Sequence, residues 1–130
     1  MIYLASPYTH VDAVVREARF DAACLATSTL MIAGFSVYSP IVHSHPLVRY
    51  GLPVEWEFWQ THDCEHLRRC DEVVVLTLDG WKASRGVQAE IALAIEIDLP
   101  IRYLSPSMIS NSSGGDTNMS VRPLSQETSS

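Results

Sequence analysis

Two carboxylates are the residues of this chain whose positions most clearly suggest chemistry. Glu90 follows an aliphatic run, 73–78, and a polar loop, 79–84, and apolar residues recur around it at helical spacing. A strand, a loop and a helix in this order place the residue near the carboxyl end of the strand, where α/β sheets bind ligands. Because Glu90 borders the apolar side of its predicted helix, its carboxylate must be neutralised, paired or used. Asp63 lies on an earlier predicted helix, 54–69.

The turn before Glu90 has the composition of an anion site. Ser84 is a suitable N-cap for the helix, and Gly86 lies in its first turn. A helix N-terminus with a hydroxyl and a glycine can bind a phosphate group. Plain N-capping and solvated surface arginines would explain the same residues without a ligand. Three arginines could add positive charge to such a site: Arg16, Arg19 and Arg85.

The first strand-to-helix loop and several aromatic rings supply candidate ligand contacts. The loop after the first predicted strand adjoins the central strand at the switch point of the sheet, so we expect it to line a ligand pocket. Rings beside polar loops suit stacking on a flat heterocycle, although tryptophans also serve simply as core. The loop candidates are Ser6, Tyr8 and His10. The stacking candidates are Tyr8, Trp59 and Trp81.

Histidines in the predicted loop 39–53 allow a different interpretation. His43 and His45 are two residues apart and would lie on one side of an extended chain, as in some zinc sites. A third ligand would have to come from His62, Asp63 or His66. The same spacing equally suits contacts to a polar ligand, for which His45 is the candidate. We expect neither a metal ion nor another cofactor.

The elements that must position these residues alternate between strand and helix. Strands are predicted over 2–5, 35–38, 72–78 and 99–104, and helices over 11–33, 54–69 and from 85 to about 95. This alternation predicts an α/β fold: an open parallel sheet of four or five strands with helices on both faces, Rossmann-like or flavodoxin-like. Residues 1–105 form a single domain in this interpretation. The polar segment 106–130 is expected to be a largely disordered tail.

Composition restricts the class of partner. The 130 residues carry a net charge of −6, which argues against binding to duplex nucleic acid or to an anionic membrane. No apolar run approaches the roughly 18–20 residues of a membrane span, and no signal peptide is visible. The odd number of cysteines, three, favours free thiols and a cytoplasmic location.

Together, these motifs resemble the nucleoside 2-deoxyribosyltransferase superfamily, which includes the 2′-deoxynucleoside 5′-phosphate N-hydrolases. The resemblance covers about residues 1–104. Four features carry it: the strand and small-residue loop Ile2–Ser6, Asp63 before the central strand, the serine–glycine turn Ser84–Val87, and Glu90. A small branch of the superfamily is most similar, because the chain also has Ser44-His45-Pro46 and Gly80-Trp81.

The resemblance implies a hydrolase or transferase that cleaves the N-glycosidic bond of a (deoxy)nucleoside 5′-monophosphate. Glu90 would attack the anomeric carbon and form a covalent glycosyl-enzyme, which suits an oxocarbenium-like transition state. Asp63 would orient or protonate the leaving base, and Ser84 would contact the 5′-phosphate. The superfamily also implies a homodimer or higher homo-oligomer, in which residues 105–109 could complete a neighbouring site.

Two further functions stay open. Arg85 and Gln88 are bulky for the serine–glycine turn, and loop 39–53 is unusually rich in histidine. These departures favour, as the main alternative, a nucleotide-binding or sensing module of the same fold without turnover. The third hypothesis is a metal-dependent hydrolase centred on the histidines.

Overall fold

Strands and helices alternate along the chain in the computed structural model, which describes residues 1–109 and 125–126. The strands are β1 (Ile2–Ala5), β2 (Val37–Tyr38), β3 (Glu72–Leu76), β4 (Ile101–Leu104) and β5 (Ser125–Gln126). The α-helices are α1 (Ala13–Ile32), α2 (Pro40–Val48), α3 (Trp56–Arg68) and α4 (Arg85–Glu96). Short 3-10 helices span Trp81–Ala83 and Pro106–Met108.

The strands form one open sheet in the order β2-β1-β3-β4-β5. β1 pairs in parallel with β2 and β3, and β3 pairs in parallel with β4. β5 adds an antiparallel edge beside β4. From β1 the chain first adds β2 on one side and then β3 on the other, which makes the gap between β1 and β3 the switch point of the sheet. The predicted open parallel α/β sheet is confirmed.

Alternating strand side chains build a core on each face of the sheet. On one face, Tyr3, Val73 and Val75 pack with Leu67 of α3 and Leu93 of α4. On the opposite face, strand residues pack against α1, and the main contributors are Leu4, Leu76, Leu104, Ala26 and Leu30. Helices therefore cover both faces, as predicted. Because α3 and α4 share one face, their side chains meet above the switch point.

The longest helix, α1, has local signals at both ends. The Asp12 carboxylate accepts a hydrogen bond from the Val14 amide at 2.9 Å, which caps the first turn. The helix ends at Ile32, and Gly34 then takes a left-handed φ of 103°, a conformation that glycine adopts without strain. None of the helices in the described part of the chain combines the length and apolar character needed to cross a membrane.

The prediction of a loop over 39–53 is wrong for most of its length, because Pro40–Val48 is helix α2. The Ser39 hydroxyl accepts a hydrogen bond from the Val42 amide at 3.2 Å and caps the helix. Pro40 begins the first turn, where a missing N–H breaks no helical hydrogen bond. Residues two apart on a helix point about 200° apart, so the expectation that His43 and His45 share a side is also wrong.

The segment that follows β4 packs against the domain. Pro106–Met108 forms a turn of 3-10 helix, and Ile109 is buried in the core on the α1 face. Of the predicted disordered tail, 106–130, the structure describes 106–109 and the edge strand at 125–126. The prediction for 110–124 and 127–130 lies outside the described residues.

Candidate functional site

A cavity of about 350 Å³ lies at the carboxyl ends of β1 and β3, at the switch point. Its walls come from the loop after β1, the start of α2, the first half of α3 and the start of α4. Six of the ten site residues predicted from the sequence line it: Ser6, Tyr8, Asp63, Ser84, Gly86 and Glu90. The predicted stacking residue Trp59 also lines it.

Glu90 is buried in the cavity floor with 3% of its surface exposed. It lies on the buried face of α4, between Val87 and Leu93. The Tyr3 hydroxyl donates a hydrogen bond to its carboxyl at 2.5 Å. Burial raises the pKa of Glu90 to about 8; the hydrogen bond from Tyr3 opposes this rise, and the charge of Asp63 adds to it. Glu90 is therefore not a solvated surface glutamate.

Asp63 is the second buried carboxyl of the cavity, with 6% of its surface exposed. It lies in the single buried stripe of α3, one turn from Trp59 and one turn from Leu67. Burial raises the pKa of Asp63 to about 7, and the charge of His66 opposes this rise. A surface ion-pair role for Asp63 does not fit this burial.

Two buried polar atoms of the cavity have no hydrogen-bond partner among the described residues: Ser6 Oγ and Asp63 Oδ1. Buried polar groups in proteins are almost always hydrogen-bonded, and an unsatisfied one costs about 1–3 kcal/mol. Both atoms belong to one cavity. Their position suits hydrogen bonds to water or to a polar ligand inside it.

The N-terminus of α4 forms the cavity wall opposite the loop after β1. The Ser84 hydroxyl accepts a hydrogen bond from the Val87 amide at 3.2 Å, which confirms the predicted N-cap. A Cβ at Gly86 would come within 3.2 Å of the Trp56 ring, so glycine allows α3 and α4 to approach closely. The guanidinium of Arg85 forms an ion pair with Glu57 at the cavity rim.

Two further candidates, Arg19 and His10, organise the loop after β1 and are not part of the described cavity lining. Arg19 donates hydrogen bonds to the carbonyl oxygens of Thr9 and Asp79 at 3.0 and 3.1 Å. It therefore links the loops that follow β1 and β3. The His10 ring accepts a hydrogen bond from the Asp12 amide at 3.0 Å.

Trp81 and His45 also lie outside the lining that the described residues form. Trp81 packs against the α4-side core, with its ring 5.6 Å from that of Tyr103 between centroids. His45 Nδ1 is 2.7 Å from the hydroxyl oxygen of Tyr8. His45 can therefore influence a ligand through Tyr8.

Sequence reasoning missed Tyr3, whose strand we interpreted as purely apolar. A tyrosine in a strand that is buried on both faces is itself a signal, because its hydroxyl needs a buried partner. Ser44, buried at the cavity wall, was missed because α2 was predicted as a loop. Glu55 and Glu57, which lie at the rim, had no signal that distinguished them from other surface glutamates.

The remaining histidines cluster on the far side of Trp59. The ring centroids of His43 and His62 are 5.2 Å apart, and His66 stacks on Tyr38 at 4.3 Å. Within residues 1–109 and 125–126, no group of three or more His, Cys, Asp or Glu side chains is arranged to hold a metal ion. The ligand set of the metal-dependent hypothesis is therefore not assembled in this part of the chain.

Comparison with known families supplies one match. The sequence profile of the family described as "Domain of unknown function (DUF1937)" matches residues 1–105. The chain belongs to this family. The match includes β1 to β4 and every residue that lines the cavity. No curated protein matches the chain. Membership in DUF1937 therefore gives the family without naming an activity.

Proposed function

We propose that this protein cleaves the N-glycosidic bond of a (deoxy)nucleoside 5′-monophosphate, with Glu90 as the nucleophile. One observation carries the proposal: Glu90, oriented by Tyr3, shares a cavity with the buried carboxyl of Asp63. Two carboxyls in one cavity can divide the work of attacking the sugar and protonating the leaving group. The resemblance of these motifs to those of nucleoside deoxyribosyltransferases supports the same chemistry.

In the first step, the Glu90 carboxylate bonds to the anomeric carbon as the bond from that carbon to the base nitrogen breaks. The departing base takes a proton from Asp63. A carboxylate close to the anomeric carbon stabilises the oxocarbenium-like transition state before it collapses to the glycosyl-enzyme. The Tyr3 hydroxyl favours the ionised form of Glu90, the form that attacks. Water then resolves the intermediate in a hydrolase, or a second base does so in a transferase.

The cavity suits a ligand with a flat base and a polar sugar. Its volume of about 350 Å³ falls at the lower end of small-molecule pockets. Trp56 and Trp59 supply aromatic surface for the base. The unpartnered Ser6 hydroxyl is available to a sugar hydroxyl.

A 5′-phosphate would bind at the N-terminus of α4. The first-turn amides of a helix have no intrahelical partner, and the helix dipole favours an anion there. Ser84 and Arg85 add a hydroxyl and a positive charge at the same place. Because Arg85 is already paired with Glu57, the phosphate must compete with that carboxylate for the guanidinium.

The proposal also covers the location, the assembly state and the partners of the protein. We place the protein in the cytoplasm, acting on a small molecule as a homo-oligomer, without a cofactor and without nucleic acid as a partner. The net charge of −6 supports a free nucleotide over a polymer, because a polyanion is bound through clustered positive charge.

The test is a panel of ribo- and deoxynucleoside 5′-monophosphates and the matching nucleosides, with free base followed by chromatography. We expect base release from the wild type and its loss in Glu90→Gln. Glu96→Gln, the same substitution at an exposed position of α4, serves as the matched control. Absence of release from every substrate, in a wild-type protein shown to be folded, would reject the glycosidase.

The alternative is a nucleotide-binding or sensing module without turnover. The raised pKa of Glu90, about 8, favours it, because a protonated carboxyl donates a hydrogen bond but does not attack carbon. A nucleotide that raises the melting temperature of the wild type and is recovered intact would select this alternative.

A further inference from the structure

A hydrogen-bonded chain of three side chains runs from the cavity to the surface of α1. Tyr8 lines the cavity and is 6% exposed. Its hydroxyl oxygen is 2.7 Å from His45 Nδ1, and His45 Nε2 is 2.8 Å from Glu17 Oε1. The Glu17 side chain is 60% exposed. Residues from the β1–α1 loop, α2 and α1 therefore connect the buried Tyr8 side chain with the surface of the protein.

The direction of the hydrogen bonds in this chain follows from the chemistry of its outer member. The Glu17 carboxylate only accepts, so His45 Nε2 carries a proton. In the neutral imidazole, Nδ1 is then an acceptor, and the Tyr8 hydroxyl donates to it. The Tyr8 oxygen can therefore only accept further hydrogen bonds. The Arg16 guanidinium is one donor to it, and its remaining lone pair is available to a ligand in the cavity that Tyr8 lines.

Packing holds the chain of side chains in place. The His45 ring lies 4.4 Å from the Phe20 ring and contacts the Tyr8 ring edge-on at 5.4 Å between centroids. Tyr8 itself is buried against Ala23 and Ile41. Burial raises the pKa of the Tyr8 hydroxyl, and the guanidinium of Arg16 opposes that rise. The phenol is thus both fixed in position and close to a positive charge.

We propose that Tyr8, supported by His45 and Glu17, is the general base that activates the water which resolves the glycosyl-enzyme; this inference rests on the proposed function. The water oxygen bonds to the anomeric carbon as the bond from that carbon to Glu90 breaks. The water proton moves to the Tyr8 oxygen while the Tyr8 proton moves to His45 Nδ1. Glu17 stabilises the resulting imidazolium.

Exchange with solvent returns His45 and Asp63 to their starting protonation states. The imidazolium releases one proton by way of the exposed Glu17, and Asp63, which protonated the base in the first step, regains one. A separate base for the second step has a geometric reason. The atom of a nucleobase that accepts a proton can lie several ångströms from the anomeric carbon, whereas the water attacks that carbon directly. In this assignment Tyr8 is catalytic, and His45 and Glu17 position and polarise it.

The test separates the two steps in Tyr8→Phe and His45→Gln. We expect a burst of about one free base per active site, then turnover slowed by roughly 10²–10⁴-fold, the usual contribution of a general base. The glycosyl adduct on Glu90 should accumulate and be visible in the intact protein mass. Azide, a nucleophile that needs no deprotonation, should restore turnover and give a glycosyl azide.

Matched controls remove the same groups outside the cavity. Tyr50→Phe alters an exposed ring, and His43→Gln alters a histidine on the opposite side of α2; both should turn over at the wild-type rate. Unchanged turnover in Tyr8→Phe overturns the inference. So does a loss of the burst and the turnover together without rescue by azide, which would mean a structural or binding role. If the wild type releases no base, the proposed function itself is overturned. The wild type is therefore assayed before any Tyr8 variant.

Discussion

At the residue scale, the decisive feature is a pair of carboxyls that titrate near neutral pH. Burial raises the pKa of Glu90 to about 8 and that of Asp63 to about 7. The charge of Asp63 helps to raise the pKa of Glu90, so the two carboxyls share their protons near neutral pH, and the proposed reaction needs the single proton on Asp63. The singly protonated pair has two forms, with the proton on Glu90 or on Asp63, and only the second is reactive. The two carboxyls titrate as a unit.

The rate of base release should follow a narrow bell in pH. Below about pH 7 both carboxyls hold a proton and no nucleophile is available. Above about pH 8 neither holds a proton and no acid is available. The measurement is kcat/KM from pH 5 to 10, because this quantity reports the pKa values of the free protein. Asp63→Asn should lose the alkaline limb, and a wild-type rate that stays flat across this range would contradict the assignment.

The same burial makes the stability of the fold depend on pH. Between the ordinary pKa of 4.5 and about 8, the folded protein keeps a proton on Glu90 that the unfolded chain releases. The contribution of Glu90 to the free energy of unfolding is therefore fully present below about pH 4.5 and is lost as pH rises through about 8.

Glu90→Gln removes this titration. From pH 5 to pH 9 the wild type should lose on the order of 3–5 kcal/mol of free energy of unfolding through Glu90, since each pKa unit corresponds to about 1.4 kcal/mol. The variant should not show this loss. Urea denaturation at both pH values measures it. Glu96→Gln, on the exposed side of α4, should show no such difference.

At the element scale, the contact between α3 and α4 sets the shape and charge of the cavity rim. Gly86 allows the close approach of the two helices, with the Trp56 ring against it. Across the same contact, Glu57 of α3 pairs with Arg85 of α4. The helix pair therefore determines both the width of the opening and whether a positive charge is free at the phosphate site.

Glu57→Gln should release Arg85 to a phosphorylated ligand. Because both side chains of this pair are largely exposed, the pair is worth at most about 1 kcal/mol. We expect a two- to fivefold lower Kd for a 5′-monophosphate, the range that this energy allows, and no change for the matching nucleoside. Calorimetry with the two ligands measures the difference. A variant that binds both equally more tightly would place the phosphate elsewhere.

At the scale of the whole molecule, the assembly state is the main prediction. The deoxyribosyltransferase resemblance implies sites that a neighbouring subunit completes, and we proposed residues 105–109 for that role. Ile109 is buried in its own domain, whereas Ser105 and Ser107 are at the surface and hydrogen-bond to each other at 2.9 Å. The two serines are thus the polar side chains of this segment that are available to a partner.

Light scattering of the full chain tests the assembly state directly. We expect the mass of a dimer or a larger homo-oligomer. Ser107→Ala, which keeps the Ser105 cap of the 3-10 helix, should lower kcat without changing the melting temperature. A monomeric mass together with full activity would remove the prediction.

The sequence by itself determined the alternation of strands and helices and the position of the two carboxylates on them. Short-range patterns carry this information: the valine run of β3 predicts a buried strand, and Ser84 predicts the start of α4. It also predicted that the loop after β1 would lie beside the central strand β3, because the carboxyl ends of parallel strands share one edge of a sheet.

The tertiary structure alone decided which side chains touch in the site. Tyr3 and Glu90 are 87 residues apart, and their hydrogen bond depends on the register of β1 beside β3 and on the packing of α4. The Tyr8–His45 contact needs α2, a helix that the sequence did not predict because the three prolines and one glycine of 39–53 are typical of a loop. Propensity and periodicity act over a few residues, whereas these contacts form only when the whole sheet positions its helices.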